Sequence, residues 1–428
     1  WISLIFLCAN IFLIGLSGRK LTGSGWGGVL AGLLLLISDP FFRHHLFGLS
    51  EPVFLFCFFM TLLLLVPMPG RRQPASLVAA GIFAGLTYLT RYIGITLFAG
   101  GVIFLFLFSA GLKNKLKSCL LFLVGSLPFF LAWTIRNMIV TGNPVNRQFH
   151  LRSLAVDKIH EGITSFWGWL LPEPYHIIDR FINLWGILLA AFLVVYFLAA
   201  IATLMIILKK QDLRNKPSFR LGWLLAMQGL VYLATLAVTI LFIDSSVNFE
   251  TRGLMPVYNL LVLLFVAGLV WLWRHGKAMK TITVLLAIGL TLSFSEDTLD
   301  TVREWRLHGQ GFAHESWTES GTIETVKKLP TVDIFTNRPQ AINLLTGRGS
   351  YILLSPINAA TQLPREGYET ERENLRQSVQ DGKTVLVIFG YRDLIHEDEN
   401  AWVLELTESL PILNEYETDV IFGNVPLQ

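Results

Sequence analysis

The sequence predicts a polytopic α-helical membrane protein with about ten visible spans, followed by a small C-terminal α/β domain. Three observations support this prediction. The 428-residue chain is 53% hydrophobic and only 15% charged, against about 25% charged residues in a typical soluble chain. Its apolar residues form repeated runs that approach bilayer length. The charges are also divided unevenly: residues 1–295 contain 23 basic and 9 acidic residues, whereas residues 296–428 contain 11 and 22.

Ten apolar segments are candidate spans. Several are shorter than the roughly 20 residues that a perpendicular span needs, so their helices are expected to extend into the flanking sequence. Residues 76–111 are compatible with one kinked element or with a short pair that meets at residues 90–92. The candidate segments are residues 1–16, 25–38, 53–67, 76–90, 93–111, 118–135, 182–208, 221–243, 254–273 and 281–295.

Basic residues are concentrated in every second gap between these segments. One set of gaps contains 15 basic residues and a single acid, Asp212, whereas the other set contains 8 of each. Because cytoplasmic loops are enriched in Lys and Arg, the first set is predicted to be cytoplasmic. This orientation predicts an integral protein of the plasma (inner) membrane whose C-terminal domain is extracytoplasmic. The cytoplasmic set is Arg19, Lys20, Arg71, Arg72, Lys113, Lys115, Lys117, Lys209, Lys210, Arg214, Lys216, Arg220, Arg274, Lys277 and Lys280.

Composition also excludes several classes. The three cysteines lie inside apolar runs, so no disulfide framework or cysteine-based metal site is available. The pI of 8.7 follows from the cytoplasmic loops and does not indicate nucleic-acid binding. The long outer loop, residues 136–181, predicts either an interfacial amphipathic segment or an ordinary connection.

Residues 296–428 alternate strand-like and helix-like segments, which is typical of a small α/β domain. Residues 332–337 and 384–389 predict strands, because β-branched and apolar residues dominate them. Helices are predicted at 340–346, 366–380 and 401–410, and residues 418–422 are predicted to be extended. The domain contains neither a Gly-rich phosphate loop nor a metal-binding motif.

Candidate functional residues lie at the outer ends of the spans, where buried charge is costly. One short outer loop contains Asp39, His44, His45 and Glu51. Oxygen and imidazole ligands suit a divalent metal ion, and a carboxylate can orient an acceptor group. The alternative is structural: Asp39 and Ser50 would cap helices beside prolines.

Three outer arginines are candidate anion ligands, because guanidinium groups form charge-assisted bonds to phosphate. Arg91 lies between two apolar runs, and the alternative for it is snorkelling to the interface. Arg136 directly follows a span and could instead anchor the helix end. Arg252 precedes a late span on the side where arginine is unfavourable for topology. Glu250 is the competing structural partner of Arg252.

These groups, in this order, resemble bacterial integral-membrane glycosyltransferases of the GT-C superfamily, especially the protein O-mannosyltransferase and aminoarabinose transferase group. The likeness covers residues 1–295, and the ordered set is more specific than any single motif. A looser likeness to an extracytoplasmic domain attached to some of these proteins involves residues 336–339 and 345–348. The matching motifs are Leu-Ser-Glu-Pro at 49–52, Leu-Thr-Arg-Tyr-Ile-Gly at 89–94, Arg-Asn at 136–137 with Gly-Asn-Pro at 142–144, and Arg-Gly-Leu-Met-Pro-Val-Tyr at 252–258.

The resemblance implies an enzyme that transfers a sugar from a polyprenyl-phosphate donor to an acceptor on the outer face of the membrane. The acceptor could be a lipid, a glycan or a protein. Arg252, Arg91 and Arg136 would bind the lipid phosphate, and Glu51 would assist the acceptor or a metal ion. The resemblance also implies a catalytic base, an acidic residue that in this family lies in the first outer loop. The sequence begins at what corresponds to the second span, so that loop is not in it, and Asp39 is the substitute candidate.

Two other functions are compatible with the sequence. A transporter or lipid flippase would place ionisable residues near the bilayer midplane and often contains internal repeats, whereas the charges here cluster at the outer ends. An inactive membrane scaffold, whose C-terminal domain binds a partner, is the other alternative.

Overall fold

The computed structural model describes residues 2–47, 49–66, 73–144, 151, 155–170, 175–353, 355–358, 361–396 and 400–426. The chain divides into two compact units, residues 1–301 and residues 302–428. We refer to them as the membrane unit and the C-terminal unit.

The membrane unit is helical. Tyr92–Gly94 forms a single 3-10 turn, and Thr239–Ile243 forms a π-helical turn. The helices are α1 (Ile2–Thr22), α2 (Gly25–Leu36), α3 (Asp39–Leu46), α4 (Glu51–Leu65), α5 (Gln73–Thr90), α6 (Ile95–Phe108), α7 (Leu112–Thr141), α8 (Val156–Gly168), α9 (Tyr175–Arg180), α10 (Ile182–Lys209), α11 (Gln211–Asn215), α12 (Pro217–Val238), α13 (Thr251–Trp273) and α14 (Lys277–His308).

All ten predicted segments contain a helix, which confirms the helical membrane fold. Among the described residues, six helices are long and apolar enough to cross a membrane, and α2 with α3 forms a seventh candidate that is bent by 67°. The helices α4, α5 and α6 have 15, 18 and 14 residues. As expected, helix ends extend beyond the apolar runs: the segment predicted at 118–135 becomes the 30-residue α7. The six long helices are α1, α7, α10, α12 continued by its π-helical turn, α13 and α14.

The structure corrects one prediction about the connections and decides between the two alternatives of another. The loop that contains Asp39 and both histidines is the helix α3, because Pro40 in its first turn and basic residues in its last turn suit helix ends. Residues 76–111 form a pair of helices and not one kinked element. Arg91 between them is extended, with φ −152° and ψ 135°. Arg71 and Arg72 lie outside the described residues, as does part of the loop at 136–181.

Close packing of α5 against α7 depends on two glycines. A Cβ atom at Gly81 would overlap the carbonyl oxygen of Phe122, and one at Gly125 would overlap the carbonyl oxygen of Val78. The two helix backbones therefore approach each other more closely than side chains would permit, which fixes α5 and the arginine that follows it.

The C-terminal unit is built around a five-stranded sheet with strand order β2-β1-β3-β5-β4. The strands β2, β1 and β3 are parallel, and β5 is antiparallel to both β3 and β4. The strands are β1 (Asp333–Thr336), β2 (Tyr351–Ile352), β3 (Thr384–Ile388), β4 (Ile412–Glu415) and β5 (Val420–Phe422). The helices are α15 (Glu315–Thr318), α16 (Gly321–Lys327), α17 (Pro339–Thr346), α18 (Tyr368–Gln380), α19 (Tyr391–Leu394) and α20 (Ala401–Thr407).

Helices cover both faces of this sheet. On one face, α16 and α17 pack against Ile334, Val385 and Val387, and on the other, α18 and α20 pack against Leu386 and Ile388. Because successive strand residues point to opposite faces, all five residues of the central strand β3 are buried. The predicted α/β fold is thus confirmed as a three-layer sandwich, in which α15, α16, α19, β2 and β4 were not predicted.

Candidate active site

Glu51 is the buried acid at the centre of the candidate site. It occupies the first turn of α4, followed directly by Pro52, and it is 2% exposed. A carboxylate is favourable there because the helix N-terminus carries partial positive charge. Ser50 precedes the helix but makes no side-chain capping bond, so the capping alternative for Ser50 is wrong.

Two arginines converge on one oxygen of Glu51. Arg91 donates from Nη1 to Oε1 at 2.8 Å, and Arg252 donates from Nε to the same Oε1. Arg91 comes from the extended link between α5 and α6, and Arg252 comes from the first turn of α13. Glu250 is the residue before α13, without a side-chain capping bond. The competing reading, in which Glu250 pairs with Arg252, therefore gives way to Glu51.

The cluster of Glu51, Arg91 and Arg252 has a formal charge of +1. The side chains of Arg252 and Arg91 are 40% and 23% exposed, so both cations reach the surface. The side chain of Glu51 is 2% exposed and does not reach it. The bond from Arg252 uses Nε and leaves its two terminal nitrogens out of the pair. Oε2 of Glu51 is buried and has no hydrogen-bond partner among the described residues. The arrangement suits the binding of an anion beside an acceptor hydroxyl.

Two aromatic residues that the sequence did not indicate support this cluster. The guanidinium carbon of Arg91 lies 5.9 Å from the centroid of the Phe54 ring, one helical turn beyond Glu51. Tyr232 on α12 is 1% exposed and donates to the carbonyl oxygen of Gly253 at 2.9 Å. It thereby holds the start of α13 next to Arg252. A tyrosine inside an apolar helix gives no sequence signal for such a role.

The two candidate metal ligands differ in their surroundings. His44 is half-buried, with Nδ1 2.6 Å from the carbonyl oxygen of Pro40, and the charges of Glu51, Arg91 and Arg252 act on it. His45 is fully buried. Its Nδ1 lies 2.7 Å from the carbonyl oxygen of Phe41, and its Nε2 lies 2.8 Å from Nδ2 of Asn10.

Both ring nitrogens of His45 are therefore used within the protein, which is a packing arrangement and not that of a metal ligand. Among the described residues, no three His, Cys, Asp or Glu side chains are grouped so that they could hold a metal ion. The described part of the chain therefore contains no preorganised metal site.

Asp39, the substitute catalytic candidate, is tied into its own helix. Both of its carboxylate oxygens accept from Nε of Arg43, at 2.8 and 2.7 Å, and Oδ1 also accepts from the Thr301 hydroxyl at 2.5 Å. Nη2 of Arg43 donates to the same hydroxyl at 2.5 Å. These bonds connect α3 to α14, so the described contacts of Asp39 are separate from those of Glu51.

Arg136, the third candidate phosphate ligand, lies near the end of α7. It donates to Oδ1 of Asn137 at 3.1 Å, and its guanidinium lies 5.0 Å from the centroid of the Trp133 ring. Trp133 in turn donates from Nε1 to the Tyr92 hydroxyl at 2.9 Å. Arg136 is exposed and is linked to the residue next to Arg91, but it does not join the pair at Glu51.

An apolar cavity of about 360 Å³ lies in the same unit. Trp169, which lines it, stacks on Tyr258 with 4.5 Å between ring centroids and an interplanar angle of 9°. Val262, on the α13 wall, is ten residues from Arg252, which is about 15 Å along an α-helix. The lining is almost entirely aliphatic and aromatic: Leu34, Phe166, Trp167, Trp169, Leu170, Phe192, Tyr196, Leu261, Val262, Leu264, Phe265, Leu290 and Phe294.

Comparison with known proteins agrees with this architecture. Residues 1–135 match the family described as dolichyl-phosphate-mannose-protein mannosyltransferase. No match was found among curated protein sequences. The fold is similar to the crystal structure of the Archaeoglobus fulgidus oligosaccharyltransferase in complex with zinc and sulfate, with a TM-score of 0.51 and 14% sequence identity. That similarity covers the whole of this chain and 62% of the archaeal chain.

The matched region contains Glu51 and Arg91, whereas Arg136 and Arg252 lie beyond it. Six apolar helices and the match to a membrane glycosyltransferase family together support an integral membrane protein. The resemblance that the sequence motifs indicated is confirmed, and the chain has the fold of the GT-C superfamily of membrane glycosyltransferases.

Proposed function

We propose that the chain is a glycosyltransferase that moves a sugar from a polyprenyl-phosphate donor to an acceptor on the outer face of the membrane. The observation that supports this most is the shared bonding of Arg91 and Arg252 to the buried Glu51. Two cations held by one carboxylate leave a net positive site at helix ends, where a lipid phosphate would lie.

The proposed transfer breaks the bond between the anomeric carbon of the sugar and the phosphate oxygen. A bond forms between that carbon and the acceptor oxygen, and the acceptor proton passes to a carboxylate. Arg252 and Arg91 stabilise the negative charge that develops on the leaving phosphate. Glu51 orients both arginines through Oε1. Its Oε2 is buried and has no hydrogen-bond partner among the described residues, so we propose that it takes the proton once the acceptor hydroxyl has entered the space beside the arginines.

Asp39 is the second carboxylate proposed for the proton, although Arg43 and Thr301 already occupy its oxygens. Of the two acids, Glu51 is the one that is hydrogen-bonded to Arg91 and Arg252. Arg136 is proposed to contact the phosphate from the rim of the site, because it is exposed and its Trp133 neighbour bonds to Tyr92.

The apolar cavity beside α13 supports a lipid-linked donor. Its aromatic lining would accept the first isoprene units of a chain whose phosphate lies at Arg252, because the cavity begins within three helical turns of that residue. The acceptor, which we propose to be a lipid, a glycan or a protein, approaches from the opposite, aqueous side.

Reconstituted protein tests this function directly. Full-length protein in liposomes would be supplied with a labelled polyprenyl-phosphate sugar, and consumption of the donor measured. We expect Arg252→Ala to reduce consumption by at least about 100-fold, since loss of one charge-stabilising donor costs that much in comparable sites. Arg274→Ala, at the other end of α13, is the matched control. Equal activity of both variants, or no consumption by the parent protein, would reject the proposal.

The proposed location of the C-terminal unit outside the cytoplasm is tested by thiol labelling. The C-terminal unit contains no cysteine, but Cys8 in the membrane unit is exposed. A Gly349→Cys substitution in a protein whose Cys8, Cys57 and Cys119 are replaced by serine therefore provides a unique exposed target. We expect a membrane-impermeant maleimide to label this cysteine in intact cells. Labelling that requires disruption of the membrane would instead place the unit in the cytoplasm.

A further inference from the structure

The C-terminal unit contains a cleft of about 450 Å³ on the sheet face that α18 and α20 cover. Its floor is formed by the β1–β2 edge of the sheet, where Phe335 and Ile352 line it, and α18 forms its wall. A volume of several hundred Å³ is in the range of small-molecule sites. All of its lining residues belong to residues 302–428, so the cleft is separate from the cluster at Glu51.

The floor of the cleft presents an aromatic surface. Phe335 is half-buried and stacks on Tyr351, with 5.1 Å between ring centroids and 30° between planes. Ile352, which also lines the floor, is 55% exposed, whereas Tyr351 is 56% exposed and lies beside the cleft without lining it. A flat, partly exposed aromatic surface binds the apolar C–H face of a ring while leaving the polar rim of that ring accessible.

The wall of the cleft contains a buried hydroxyl group that has no hydrogen-bond partner among the described residues. Tyr368, at the start of α18, is 8% exposed, and its hydroxyl has no hydrogen-bond partner among the described residues. Leaving a buried hydroxyl unsatisfied is costly. Tyr368 lines the cleft, so a ligand hydroxyl could supply the missing bond.

The rim of the cleft is acidic and not basic. Asp333 and Glu371 are exposed carboxylates that line it. Arg372, the cation among the lining residues, is paired with Glu369 at 2.6 Å and with Glu405 at 3.0 Å. Phosphorylated and other anionic ligands are therefore disfavoured, whereas carboxylates readily accept hydrogen bonds from ligand hydroxyls.

We propose that this cleft binds a sugar unit of a neutral glycan. A pyranose combines the two properties that the cleft selects, since it has an apolar C–H face for Phe335 and hydroxyl groups for Tyr368, Asp333 and Glu371. The site goes beyond the proposed transfer reaction and does not depend on it, because none of its residues belongs to the membrane unit.

Saturation-transfer difference NMR on the full chain in detergent tests the proposal. The probes are mannose, galactose, N-acetylglucosamine, maltose and chitobiose. We expect saturation of the ring C–H protons of at least one of them. Glu371→Gln and Tyr368→Phe should each weaken that binding by roughly 10-fold, because each removes one hydrogen bond to the ligand.

Matched controls separate binding from folding. Glu373→Gln changes an acid on the same helix that does not line the cleft, and Tyr391→Phe removes a hydroxyl that bonds to Thr407; both should bind as the parent protein does. A Glu51→Gln variant should also bind sugars normally, even if it transfers none. The proposal is wrong if no probe is saturated, if the two cleft variants bind unchanged, or if an oligolysine peptide binds the parent protein more tightly than any saccharide and loses that binding in Glu371→Gln.

Discussion

Arg91 donates to Glu51 across 2.8 Å, although 40 residues separate them and Glu51 is almost completely buried. This bond holds the extended link between α5 and α6 against the first turn of α4. It also fixes the position at which Arg252 joins the same oxygen. The pair is therefore a packing contact, and it also positions the two cations of the proposed anion site.

Removal of Arg91 should destabilise the membrane unit. Arg91→Ala leaves the buried carboxylate of Glu51 with one arginine, so we expect the free energy of unfolding to fall by about 2 kcal/mol. Thermal unfolding in detergent measures the change. Arg19→Ala, which alters an exposed arginine on α1, is the control and should change stability by less than about 0.5 kcal/mol. Adding Glu51→Gln to Arg91→Ala should recover part of the loss; a strictly additive double variant would contradict the coupling.

Arg136 and Arg252 should contribute unequally to donor binding. Arg252→Gln removes a cation from a partly buried pair, so we expect affinity for a short-chain polyprenyl phosphate to fall by about 10-fold. Arg136→Gln removes an exposed cation, and we expect a loss of about 2- to 5-fold. Titration by isothermal calorimetry in detergent measures both. A larger loss for Arg136→Gln would move the phosphate site from α13 to α7.

His45 should behave as a structural residue. His45→Phe removes the bonds to Asn10 and to the carbonyl oxygen of Phe41, and we expect it to destabilise the protein by about 1–3 kcal/mol. His45→Gln can still accept from Asn10 and should lose less. Metal content, measured by inductively coupled plasma mass spectrometry, should be the same in both variants and in the parent protein. Loss of a stoichiometric metal ion from the stable His45→Gln variant would restore the prediction of a metal ligand.

Gly81 should be intolerant of a single methyl group. In Gly81→Ala the new Cβ would overlap the carbonyl oxygen of Phe122, so α5 and α7 must separate. We expect a loss of about 1–3 kcal/mol, as for other overpacked sites. Gly268→Ala is the control because no atom lies within 4 Å of its added Cβ, and it should be neutral or stabilising by up to about 1 kcal/mol. Similar behaviour of the two variants would mean that α5 and α7 are not in close contact.

Glu161, on the amphipathic helix α8, should make stability depend on pH. Burial raises the pKa of Glu161 above its usual value, the charge of Glu250 raises it further, and Lys158 opposes both. A raised folded-state pKa favours the protonated carboxyl. Its contribution to stability is therefore present at low pH and is lost as the pH rises through the raised pKa.

Glu161→Gln imitates the protonated form and removes this titration, so the difference in melting temperature between the variant and the parent protein should depend on pH. We expect the variant to melt above the parent protein at pH 7.5 and at the same temperature at pH 4. Asp157→Asn, on the exposed side of the same helix, is the control. A difference between Glu161→Gln and the parent protein that stays constant with pH would argue against the raised pKa.

Hydropathy was sufficient to find the helices but not their partners. The segment at 254–273 was predicted within a few residues, because its apolar character is continuous. The pairing of Arg252 with Glu51 was not predicted, because 201 residues separate them and Glu250 is nearby in sequence. Sequence proximity favours Glu250 as the partner of Arg252. The packing of α13 against the rest of the membrane unit is what brings Glu51 within hydrogen-bonding distance of Arg252.

The same reasoning explains the misread segment at residues 39–46. One proline, two histidines and the charges of Asp39 and Arg43 suggested a loop, and intrinsic propensities alone do not predict an eight-residue helix there. Contacts outside the segment stabilise α3, including the bond between His45 and Asn10 and the bond between Asp39 and Thr301. The short strands β2 and β4 were missed for a comparable reason, since each depends on its pairing partner.

The late position of Arg252 in the sequence has a consequence for biogenesis. Glu51 and Arg91 emerge from the ribosome early, and both must enter the membrane region while the second arginine is still unsynthesised. Until α13 is made, the Glu51 carboxylate can pair with Arg91 but not yet with Arg252. The three residues come from α4, from the link after α5 and from α13, so the cluster is complete only when these distant parts of the chain have packed together.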